Sequence, residues 1–236
     1  MAGRDLTLTP RVEDVRDKQL VETVVEFDLA QIKQRFDENV QSIEQQFDVA
    51  EALKTAGKVA ECKTIWRSQI VFLESALDFY IHELSKYGMI SIFSEKWSKT
   101  ERYNNFQMPM RYVEQGLKSP ESNKWLLEYV NRKFTRDVYM SWDVLVDQLN
   151  MLGIHLKSVL ETVFPKPTIP DPTYKDGERI IKDLYDRRNQ IAHQSDRQHA
   201  NAQQNDISKE YVEQCIHDVK SIIEGIHAKA IEKSSE

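Results

Sequence analysis

Val25, Leu29, Ile32, Phe36, Val40, Ile43, Phe47 and Ala50 follow one another at spacings of three and four residues, with Gln, Glu and Lys between them. That period is the turn of an α-helix, and it gathers all of these side chains on one stripe. Residues from about 11 to 55 are therefore predicted as one or two amphipathic helices. Thr9 and Pro10 offer a cap and first position, and Gly57 is expected to close the run. A seam so long and narrow either coils against a partner or packs across the protein's own core or dimer.

The next stretch, CKTIWRSQIVFLESALDFYIHELSKYG, carries two adjoining apolar rows. One row is Trp66, Ile70, Leu73, Leu77, Ile81 and Leu84; the other is Ile65, Phe72, Ala76, Phe79 and Tyr80. Two rows imply burial on both flanks, as in the central helix of a bundle, with Gly88 as the expected stop. Arg67, Glu74, Asp78 and His82 share the remaining strip, either as a solvated stripe or as one wall of a polar cleft. Between residues 89 and 120 the pattern breaks into short helices and loops. Helical spacing returns around Trp125–Phe134 and, after a Ser141 cap, around Val144–Leu149 up to Gly153, with a further turn or two to Phe164. The proline-rich PKPTIPDP interrupts it. A helix from about Asp176 to His193 and another from about Ser208 to Ile231 complete the chain, and no stretch alternates by two. The expectation is an all-α bundle without a β-sheet.

The formal net charge of −6, from 32 basic and 38 acidic residues, argues against a broad nucleic-acid surface. Its distribution is uneven: residues 1–61 hold 8 basic and 13 acidic side chains, residues 95–136 hold 9 and 5. The middle is locally basic, as ordinary charge scatter or as a footprint for RNA. Cys62 and Cys215 have neither disulfide-framework nor zinc-ligand spacing. No signal-peptide core or membrane-length apolar run is present, so a cytoplasmic protein without metal or cofactor is expected.

The most distinctive short stretch is YDRRNQIAHQ, residues 185–194. On a helix Asn189 and His193 share a face, and Arg188 lies about 100° from Asn189. A permanent cation, an amide and a titratable imidazole thus crowd one patch. A helix end complementing its own dipole has the same composition, so the residues alone leave both readings open.

RNQIAH resembles the Arg, four to six residues, His signature of the HEPN superfamily (higher eukaryotes and prokaryotes nucleotide-binding domains). WRSQIVFLESALDFYIHEL looks like its first core helix, and DQLNMLGIHL before a proline-broken loop is similar to the RiboL-PSP group. The resemblance covers roughly residues 60–232. It divides the chain into an N-terminal helical extension, 1–60, and a HEPN-like domain, 61–236.

The resemblance implies a metal-independent endoribonuclease, in a toxin–antitoxin, antiviral defence or RNA-processing setting. RNA carries its own nucleophile: once a base removes its proton, the 2′-hydroxyl attacks the neighbouring phosphorus, leaving a 2′,3′-cyclic phosphate and a 5′-hydroxyl. Histidine suits that proton transfer near neutral pH, and the arginine fork suits charge gathering on the phosphorane oxygens. Arg188 and His193 are the expected catalytic pair. Asn189 is expected to orient His193 or a phosphate, and Glu74 to hold Arg188. Similar enzymes supply a second histidine by dimerising with motif helices side by side, and Ala192 would permit close approach. The implied partners are RNA, a second copy of the chain, and an antitoxin or regulatory protein. The other class of reading is a non-catalytic helical interaction or RNA-binding module, which the acidic charge favours.

Overall fold

The computed structural model describes residues 24–135, 139–165, 174–198 and 200–235. The expected start at Thr9–Pro10 and most of the proline-rich stretch lie outside these residues. Nine helices are present among the described residues, and the β-structure there amounts to one isolated bridge, Arg197 to Gln204. They are α1 (Leu29–Thr55), α2 (Val59–Phe93), α3 (Glu101–Asn104), α4 (Met110–Lys118), α5 (Lys124–Phe134), α6 (Trp142–Met151), α7 (Leu156–Val163), α8 (Tyr174–Gln194) and α9 (Lys209–Ser235). The fold is all-α, and none of these helices is long and apolar enough to cross a membrane.

A reciprocal cap opens α1: Asp28 Oδ1 accepts from the Gln31 backbone N–H at 2.8 Å, and Gln31 Oε1 accepts from the Asp28 N–H at 3.0 Å. Leu29, Ile32, Phe36, Val40, Ile43 and Ala50 are buried, and the five larger side chains contribute about 2 kcal/mol apiece by leaving water. Val25 departs from the expected stripe, because it precedes the first helical turn and is 55% exposed. Gly57, with φ of 77°, ends the helix in the left-handed conformation that glycine adopts freely.

Helix α2 is the axis of the molecule, packing against α1, α5, α8 and α9. Buried Gln69 donates Nε2–H to the Ile43 carbonyl of α1 at 2.8 Å, and the Tyr80 hydroxyl lies 3.1 Å from His227 Nδ1 of α9. The expected stop at Gly88 is not where α2 ends; the helix continues to Phe93, and Glu95 takes a φ of 61°. Glycine is required there for packing instead. A Cβ at residue 88 would lie 2.8 Å from Leu152 and 2.9 Å from Trp97. Phe72 is a second departure: half of it is solvent-exposed, on the flank facing the end of α8 rather than inside the core.

Helix α8 is wedged between α2, α6, α7 and α9, burying Gly177, Ile181 and Leu184. Gly177 lets α7 approach, since a Cβ would sit 2.6 Å from Leu160. The Arg188 edge of α8 faces the polar strip of α2.

Candidate active site

Two arginines adjacent in sequence, Arg187 and Arg188, are separated by the helical turn into different surroundings. Arg187 is drawn to the loop that follows the helix. There Ser195 and Asp196 take positive φ values of 51° and 58°, turning the chain back so that Asp196 N–H reaches the Gln190 carbonyl at 2.9 Å. The fully buried Asp196 carboxylate receives Arg67 Nε at 2.5 Å, Arg187 through Nη1 and through Nη2 at 3.0 Å, and Asn205 Nδ2 at 3.2 Å. Arg67 also donates to the Asn205 carbonyl at 2.7 Å, and Arg187 to the Asp206 carbonyl at 2.9 Å. The strip residue Arg67 is therefore a buried clamp on this loop. Nothing in the spacing of the polar loop marks Asp196 as its centre.

Arg188 turns the other way. Its Nε forms an ion pair with Glu74 Oε2 of α2, and its Nη1 donates to Asn189 Oδ1 at 3.0 Å. The Nε–H is not aligned for a directional hydrogen bond, and Glu74 Oε1 has no hydrogen-bond partner. The Glu74 side chain is 3% exposed and that of Arg188 28%, so the carboxyl forms the floor and the guanidinium the lip. Burial pushes the Glu74 carboxyl up to about 7, against the lowering influence of Arg188 and with a smaller push from Asp78.

Both line a groove of about 380 Å³ between α2, the end of α5 and α8. Asp78, His82, Glu83, Lys86, Asn131 and Met140 complete most of its walls. Three of the four strip residues read from the sequence are thus the wall of a polar cleft rather than a solvated stripe. Asp78 uses Oδ1 to accept from the Tyr139 backbone N–H at 3.2 Å and Oδ2 to meet His82 Nε2 at 3.3 Å. Lys86 bridges Glu83 at 2.6 Å and Asn131 Oδ1 at 3.2 Å. Lys86 and Asn131 were not marked by the sequence reading, because a groove wall shared by two helices has no periodicity of its own.

His193 lies in the last turn of α8 and is exposed, outside that groove. Five residues along a helix rotate a side chain by about 140° relative to Arg188. One chain therefore brings Glu74, Arg188 and Asn189 together and holds His193 on an open face beside exposed Ala192. The Asn189 carbonyl serves Arg188, and no hydrogen bond joins it to His193 among the described residues.

The model of the RiboL-PSP-HEPN family matches residues 28–232. This chain belongs to the RiboL-PSP-HEPN family. The matched span begins one residue before α1, so it takes in residues 28–59, which the sequence resemblance left outside. Searches of curated proteins and of solved structures each return no match. The family's helical bundle is the architecture described above, and the groove at Arg188 lies within the matched span.

Proposed function

We propose that this RiboL-PSP-HEPN protein is a metal-independent endoribonuclease in which Arg188 and His193 are catalytic. The observation that carries this reading is the Arg188 guanidinium, anchored by a buried carboxyl at the lip of a polar groove while part of it stays open to solvent. So placed, it can grip a phosphate and stabilise the charge that develops on its oxygens. His193, exposed and unencumbered, supplies proton transfer, and Asn189 fixes the guanidinium from its own helix.

A homodimer with apposed motif helices fits the exposed flank. Phe72, Val71 and Ile191 line a shallow depression next to Ser195, with Phe72 half exposed. An apolar flank beside a small exposed residue such as Ala192 suits an isologous contact. The pairing would bring two copies of His193 towards one cleft. Toxin–antitoxin, defence and RNA-processing settings all suit such an enzyme, with an antitoxin or regulatory protein as a further partner.

The test is incubation with single-stranded RNA and EDTA, followed by end-group analysis. Cleavage leaving 2′,3′-cyclic phosphate and 5′-hydroxyl ends is expected, reduced at least 1,000-fold, on the order of a lost proton-transfer or oxyanion group, by Arg188→Ala or His193→Ala. Both variants should keep the wild-type melting curve, since neither side chain is buried. The net charge of −6 favours the second reading, a non-catalytic interaction module. Intact RNA under all conditions, with tight binding of a protein partner, would establish that one instead.

A further inference from the structure

We propose that Glu74 is the general base of the RNA-cleaving reaction, and His193 its general acid, so that the two proton carriers differ in kind. This inference rests on the ribonuclease reading above. Transesterification needs one group to take the 2′-hydroxyl proton and another to protonate the departing 5′-oxygen. Two histidines from two subunits are one solution. The structure places a different candidate against the phosphate-binding arginine itself.

Glu74, which lines the groove, touches Arg188 through Oε2, while its other oxygen, Oε1, is buried without a hydrogen-bond partner. A carboxyl present only to tether an arginine is expected to use both oxygens on the fork, as Asp196 does with Arg187. Here the closest contact runs between Nε and Oε2, and Oε1 is left without a donor next to the arginine that would hold the phosphate. The 2′-hydroxyl oxygen is linked to the phosphorus it attacks through C2′, C3′ and O3′, so a base adjacent to the phosphate-binding cation is in the right neighbourhood. The groups facing Glu74 are Arg188 from α8, Asp78 on its own helix and, further along the groove, His82, Glu83 and Lys86. The end of α5 contributes the neutral Asn131 and Thr135. Burial outweighs the arginine and brings the carboxyl up to about 7, where a base is effective at neutral pH.

In the step, ionised Glu74 takes the 2′-hydroxyl proton as the O2′–P bond forms. The P–O5′ bond breaks, and His193 in its protonated form, brought to the phosphate by pairing of two subunits, gives a proton to O5′. Glu74 ends protonated and His193 neutral, and exchange with water restores both.

The experiment measures pH–rate profiles of cleavage for wild type, Glu74→Gln, Glu74→Asp and His193→Ala in EDTA. Each is run on ordinary RNA and on RNA whose 5′-bridging oxygen is replaced by sulfur, a leaving group that needs no protonation. Wild-type activity should rise through about pH 7, the Glu74 value. Glu74→Gln should lose that rising limb together with at least 100-fold in kcat, with no rescue by sulfur. His193→Ala should be rescued by sulfur. Glu74→Asp should keep a rising limb at a displaced pH, and it decides the matter if Glu74→Gln does not fold. A Glu74→Gln profile that keeps its rising limb, merely scaled down, makes Glu74 a tether and overturns the proposal, as does an undisplaced limb in Glu74→Asp. Wild-type protein that cuts neither substrate overturns the ribonuclease reading and this one together.

Discussion

Asp196 and Glu74 are buried carboxylates of opposite design. Asp196 is saturated: two guanidiniums and an amide occupy its oxygens, and it sits at the chain reversal after α8. Removing it strands Arg67 and Arg187 with unpaired charge. Breaking such a buried group costs about 3–5 kcal/mol, far more than a surface ion pair. Asp196→Ala should therefore lower Tm by roughly 10 °C in a thermal melt. A melting curve that does not move would show that solvent reaches the two arginines and replaces the lost partner. Arg187→Ala and Arg188→Ala, one residue apart, should behave differently in the same melt. The first vacates the clamp and destabilises, whereas the second leaves Glu74 free to take its proton near neutral pH.

Helix α8 has three sides with separate surroundings. Ile181 and Leu184 seat it in the core, Arg188 reaches the groove of α2, and Ala192 with His193 faces outward. The apolar surface nearest that outward side comes from α2, through Phe72. Phe72→Glu should yield a monomer in sedimentation equilibrium and cut RNA cleavage, with the melting curve of the fold nearly unchanged because the side chain is half exposed. Full activity in a strictly monomeric variant would remove the dimer from the mechanism. Periodicity placed α2 and α8 correctly as helices. It placed Phe72 inward because the rows of a two-sided helix do not reveal where a flank runs out of neighbours. It read Gly88 as a stop because a glycine admitted for close approach to Leu152 looks the same in sequence as one that ends a helix.

The whole molecule carries its acidity into the groove, where Glu74, Asp78 and Glu83 stand among Arg188, His82 and Lys86. The locally basic middle segment is partly neutralised too: Arg102 pairs with Asp147 at 2.8 Å and Lys99 with Glu95 at 3.6 Å. RNA binding should therefore involve few phosphates. For about two contacts on a single strand, raising salt from about 50 to 200 mM should weaken affinity by only about sevenfold. A titration showing a loss of about 1,000-fold would point to a broad basic footprint that this charge distribution does not provide.

Because helical periodicity is local and each turn repeats the signal, the spacing of apolar residues was enough to place the helices and to expect no sheet, and the described residues hold none. The string RNQIAH is contiguous, so its residue types can be read directly from the chain. The family resemblance had already pointed Glu74 at Arg188, and the two outcomes decided only by tertiary structure are Asp196 lying under Arg67 and Arg187 and His193 standing clear of the groove. Each depends on the rotation of α8 about its axis against α2. The side of α8 turned inward is the one that buries Gly177, Ile181 and Leu184, outside the RNQIAH string. A linear chain records which side chains are available, but only the packed helices determine which of them meet.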